Sequence, residues 1–166
     1  FTFLVNSDFI PTGDRHYLFE NEWNKYLMKE VGRKFFDWLN TLFTVKHKTT
    51  EQTIFKKDYL KLLPSLSKNI QELKSKTSNN LFLLEAFKQG FDLSLLGTET
   101  NPAIPFIPTQ LGTLETLSNI LIDETGLADL LKEDFFKLTG ITAKLIHTEV
   151  GEGIEKVKSL VTEYNK

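Results

Sequence analysis

Between residues 21 and 43, apolar side chains return every three or four positions: Trp23, Leu27, Val31, Phe35, Trp38, Leu39 and Leu42. That spacing predicts one amphipathic helix of about 34 Å over 21–43, with these side chains on its inner face. Asn21 supplies an N-cap, and Glu20 and Glu22 stand where the helix dipole favours negative charge. Gly32 lies inside the helix, where glycine costs about 1 kcal/mol relative to alanine. Close approach of a neighbouring element would offset that cost.

Before this helix, Phe1, Phe3 and Val5 alternate with Thr2, Leu4 and Asn6, which predicts a strand over 1–9. Pro11, Gly13 and Asp14 then predict a loop. After the helix, residues 51–63 carry Ile54, Phe55, Tyr59, Leu62 and Leu63 and read as a second helix ended by Pro64. A third is expected over 67–76, with Ile70 and Leu73 behind a serine cap, and 77–80 reads as a hinge. Residues 81–91 are apolar nearly all round, the pattern of a buried helix.

Past residue 97 the texture changes. Residues 97–102 read as a loop and 104–108 as a short edge strand, because Pro105 and Pro108 exclude a central position. A turn at 109–112 would let 113–117 return as a second strand. Short helices are expected at 126–131 and 133–138, a strand at 143–146 and a closing helix at 154–164 with Ile154, Val157, Leu160 and Val161 inward. The expected fold class is α+β and predominantly helical, with a long N-terminal amphipathic helix and short strands near both ends. The expected division is 1–100, a strand-loop and helical region, and 101–166, a small α+β region packed on it or continuous with it.

Composition narrows the function classes. A chain of 166 residues buries roughly 70% of its unfolded surface, so it needs no disulfide or metal to fold. Cysteine is absent, which excludes thiol catalysis and cysteine-based zinc sites and fits a reducing, cytoplasmic setting. A net charge of −2 gives no overall pull towards nucleic acid or anionic lipid. Apolar runs such as 81–84 are far short of a membrane span, so no membrane partner is expected. The chain opens at Phe1 within a strand-like run, which reads as a segment of a longer chain.

Candidate chemistry is sparse. His16, His47 and His147 are far apart, and none belongs to a zinc-binding pair. His147 with Glu149 and Glu152 reads as ordinary polar residues at a turn, and no metal is expected. Gly151-Glu152-Gly153 precedes a helix but lacks the third glycine and the lysine of phosphate-binding loops. Glu20 and Asn24 share the spacing of a magnesium-binding helix, without the glycine motifs that accompany it. Residues 44–76 hold eight Lys against three acids, and 113–155 hold nine acids against three Lys. The basic run reads first as a solvated helix face, and as at most a weak nucleic-acid surface.

One resemblance stands out. Phe3-Leu4-Val5-Asn6-Ser7-Asp8-Phe9-Ile10-Pro11-Thr12-Gly13-Asp14-Arg15, then Phe19-Glu20-Asn21-Glu22-Trp23-Asn24 and the long helix, resembles the segment after the ATP-binding domain of sacsin-like proteins in the Hsp90-like ATPase group. In that pattern a strand ending in Asn-Asp-Phe or Ala-Asp-Phe leads through a short loop to an Arg, then through an acidic stretch to Trp-Asn. Asp14 and His16, flanking the Arg, depart from it. A second stretch, Ile104-Pro105-Phe106-Ile107-Pro108-Thr109-Gln110-Leu111-Gly112-Thr113-Leu114, resembles the Pro-Thr-x-x-Gly hairpin found further along such proteins.

The resemblance implies a non-catalytic middle segment that couples nucleotide state to a partner or downstream domain. ATP and Mg would then be cofactors of the complete protein and none would be held here; the partners would be the preceding ATPase domain and a protein client. It further implies that Arg15 reaches the ATP γ-phosphate of that domain, a task for which a guanidinium fork is suited. From its neighbours alone, Arg15 reads equally as a loop cation paired with Asp14 or Glu20. The alternative function is a helical protein- or nucleic-acid-interaction module unrelated to ATP.

Overall fold

The computed structural model describes residues 3–44, 58–76, 78–109, 113–122, 145–146 and 150–164. The fold is predominantly helical α+β, with a long N-terminal helix and a few short strands. Among the described residues the α-helices are α1 (Glu22–Thr44), α2 (Leu66–Ser75), α3 (Leu81–Leu96) and α4 (Gly153–Tyr164). Two strands, β1 (Ile107–Pro108) and β2 (Leu114–Glu115), pair antiparallel with Ile107 opposite Glu115. The helices expected over 126–138 lie outside the described residues, as does most of the one expected over 51–63. The described end of the latter is a 3-10 turn, Tyr59–Leu62.

The chain forms two compact units, each discontinuous in sequence: 1–38 with 64–103, and 39–63 with 104–166. In the first, α1 and α3 approach backbone to backbone. A Cβ on Gly32 would overlap the Phe87 carbonyl oxygen, and one on Gly90 would overlap the Lys29 carbonyl oxygen. These two glycines let the helices come together, and buried Phe35, Phe36, Phe87 and Phe91 fill the space beside the crossing. Each such burial contributes about 1.5–3 kcal/mol before entropy is counted. The Ser94 hydroxyl donates to the Arg33 carbonyl at 2.6 Å, a second tie between these helices.

The buried stripe of α1 is not the expected one. Asn24, Met28, Gly32, Phe35, Phe36 and Leu39 are buried, whereas Trp23 and Trp38 are 47% and 39% exposed. Phe35 and Leu39 belong to both faces, and Leu27, Val31 and Leu42 are half-buried, so the inner face is rotated by roughly 75° around the helix. A polar Asn and a Gly mark it, and neither registers in a count of large apolar residues.

Residues 3–9 also differ from expectation: none of them pairs as a strand with a described residue. Phe3, Val5 and Phe9 are half-buried and Leu4 is exposed, so the alternation survives without a ladder. Two backbone groups near the end of this stretch are bonded in other ways. The Phe9 N–H donates to the Ser7 carbonyl at 2.8 Å, and the Asp8 carbonyl accepts the Trp23 indole N–H at 3.0 Å.

In the second unit, α4 packs on the 3-10 turn, with Gly153 set against Leu60. Tyr59 is buried, and its hydroxyl donates to the Phe106 carbonyl at 2.8 Å, just before β1. Burial pushes the phenol well above its ordinary pKa, so this donor stays protonated. Thr109, which ends the first strand segment, is buried; its N–H donates to the Thr113 carbonyl at 2.8 Å and it bridges to Ile146.

Candidate functional site

Arg15 stands at the tip of a short hairpin closed by an isolated bridge between Pro11 and Leu18. The Arg15 N–H donates to the Thr12 carbonyl at 2.9 Å, and the Thr12 N–H donates to the Tyr17 carbonyl at 2.8 Å. Asp14 completes the turn. Its carboxylate accepts the Thr12 hydroxyl and, at 3.1 Å, the His16 N–H, an Asx-type turn for which this residue is suited. The Thr12 hydroxyl, and secondly the His16 N–H, hold the Asp14 carboxyl below its ordinary pKa.

The turn brings Arg15 to φ 59°, the one non-glycine residue among those described with positive φ. For a side chain with a Cβ this left-handed region costs roughly 1–2 kcal/mol. The guanidinium is exposed, and no ion pair involves it among the described residues. Of the two carboxylates that its sequence position suggested as partners, Glu20 instead holds Lys25 at 3.2 Å, and Asp14 is engaged within the turn.

Asn24 anchors the hairpin to α1. Its Oδ1 accepts the Ile10 N–H at 2.8 Å, and its Nδ2 donates to the carbonyls of Ile10 and Phe19 at 2.8 and 2.7 Å. One fully buried side chain thus binds both arms of the hairpin. The Asn21 side chain accepts the Asn24 N–H at 2.7 Å, capping the helix on which that amide sits. Asn24 is therefore a structural clamp. Its amide is committed to backbone, so the magnesium-helix spacing with Glu20 is coincidental.

The hairpin forms one wall of a cleft of about 590 Å³, to which it contributes Pro11, Arg15, His16, Tyr17 and Leu18. Opposite stand Asn69, Glu72, Leu73 and Lys76 from α2 and its end, with Asn80, Leu83 and Leu84 at the start of α3. Sequence reasoning missed the α2 and α3 residues, because nothing in their order links them to residue 15.

The other candidates disperse. His47, His147 and Glu149 lie outside the described residues. Gly151 has φ 52° and Gly153 begins α4, so the Gly-Glu-Gly run is a helix start. Glu152 meets Lys61 at 2.9 Å, and Lys61 also meets Asp58 at 2.7 Å. Within the basic run Lys74 is paired too, with Glu85 at 3.2 Å. Among the described residues no group of three acidic or histidine side chains is placed to hold a metal. No described helix is long and apolar enough to cross a membrane.

No family model matches this chain, and no curated protein or solved structure matches it either.

Proposed function

We propose that this chain is a non-catalytic middle segment of a sacsin-like ATP-binding protein, and that it presents Arg15 to the γ-phosphate of ATP held by a preceding domain. The observation that carries this reading is the Arg15 hairpin. An exposed guanidinium without an ion-pair partner among the described residues stands on a turn of strained φ, tied to the longest helix by a buried amide. A group that stabilises charge on a transferring phosphoryl must be held in place beforehand, and such strain collects where position matters. The hairpin fixes the backbone from which the guanidinium extends, and it carries the strain. The resemblance supplies the nucleotide; of its motif, Asn24 ties both arms of the hairpin to α1 and Trp23 holds Asp8 just before it.

The test uses the ATP-binding part of the complete protein, assayed with and without this chain. The chain is expected to raise hydrolysis while leaving ATP affinity nearly unchanged. Calorimetry of the chain alone with MgATP is expected to show no binding. Hydrolysis indifferent to the chain, or micromolar ATP binding by the chain alone, contradicts the proposal.

A further inference from the structure

The cleft beside the Arg15 hairpin has a lining that suits one kind of ligand. Leu18, Leu73 and Leu83 are half-buried within it, and Leu84 is buried, so an apolar wall is left partly open. Its permanent charges are Arg15 and Lys76 against Glu72, two cations to one acid. Among the described residues neither cation takes part in an ion pair, whereas nearby Lys25 and Lys74 hold Glu20 and Glu85 at 3.2 Å each. The volume, about 590 Å³, falls in the range of roughly 300–1,000 Å³ usual for ligand sites.

We propose that this cleft docks a short acidic–apolar peptide segment of a partner protein. Carboxylates of the segment meet Arg15 and Lys76, and a leucine-sized side chain covers the wall of Leu18, Leu73 and Leu83. Glu72 sets the chemistry apart from that of a phosphate site. It opposes a dense polyanion, but it tolerates separate carboxylates and accepts peptide N–H groups. Asn69 and Asn80, also in the lining, offer both donors and acceptors, which match peptide backbone on either side. The apolar wall supplies most of the affinity, because exposed charge pairs are screened by salt; the cations supply selectivity. Docking itself needs only the chain and no nucleotide, although a docked segment and the γ-phosphate compete for Arg15.

Fluorescence anisotropy with short labelled peptides tests it. A peptide alternating Glu and Leu is expected to bind, and peptides alternating Lys and Leu, or Glu and Ser, to bind at least about tenfold more weakly. Reversing both cations, with Arg15→Glu and Lys76→Glu, is expected to weaken the Glu–Leu peptide and admit the Lys–Leu peptide. A variant that merely failed to fold would not exchange its preference in this way. Absence of Glu–Leu binding, equal binding of the Glu–Ser peptide, or unaltered preference in the reversed variant each overturns the proposal.

Discussion

Asn24 grips Ile10 from both sides: its Oδ1 accepts the Ile10 N–H and its Nδ2 donates to the Ile10 carbonyl, each at 2.8 Å. Asn24 pairs with a residue whose carbonyl also accepts the Phe19 N–H of the returning arm, at 2.9 Å. Asn24→Ala removes this pairing together with the bond to Phe19. Each buried group left unsatisfied costs about 1–3 kcal/mol. The variant is expected to lose roughly 2–4 kcal/mol in urea unfolding, and a loss below about 1 kcal/mol would show that the clamp is dispensable.

The crossing of α1 and α3 depends on two absent side chains. Alanine at Gly32 gains about 1 kcal/mol of helix propensity, but its Cβ meets the Phe87 carbonyl, a backbone atom that cannot step aside. Overpacking of this kind costs about 1–3 kcal/mol or more. Gly32→Ala and Gly90→Ala are each expected to lower the melting temperature. A rise in either variant would mean that the helices do not cross at these glycines.

Tyr59→Phe keeps the ring in place and removes only the hydroxyl that serves the Phe106 carbonyl. The expected loss is about 1–2 kcal/mol, read by urea unfolding. Tyr59→Leu should cost more, since the ring is buried as well. Equal stability of Tyr59→Phe and the parent chain would place the hydroxyl outside the structure's balance.

Asp14 gives the hairpin a pH dependence of definite sign. Its folded pKa is lowered, so its contribution is present above the unfolded value and is lost as pH falls through the folded one. In an NMR titration the His16 amide should move with a midpoint below the ordinary Asp value of 3.8. A midpoint at or above that value would mean that the carboxylate does not accept this N–H in solution.

How much of this was legible in the sequence depended on the kind of signal. The helix over α1 and the closing helix announced themselves by apolar period, the one over α3 by being apolar nearly all round, and Gly32 announced a close approach. The orientation of α1 did not, because Asn24 and Gly32 occupy its inner face while Trp23 and Trp38 stand half-exposed. The strand expected over 1–9 does not pair with a described residue: the Trp23 side chain serves the Asp8 carbonyl, and backbone pairing begins only at Ile10, whose carbonyl accepts the Phe19 N–H at 2.9 Å beside the Asn24 amide. Of the site, only the family resemblance pointed to Arg15. The cleft it shares with Lys76 comes from three separated stretches that only tertiary structure brings together.

On the proposed function, Arg15 acts on a phosphoryl group outside this chain. The direct test is ATP turnover by the complete protein carrying Arg15→Ala, beside a thermal melt of this chain with the same change. Arg15 is exposed and makes no ion pair among the described residues, so the melt should hardly move. Turnover should fall at least about a hundredfold while ATP affinity stays within about threefold, the pattern of a contact made mainly in the transition state. Arg15→Lys, which keeps the charge but not the fork, should recover only part of the loss. Unchanged turnover, or a chain that melts several degrees lower, would contradict the account and make Arg15 a residue of the fold.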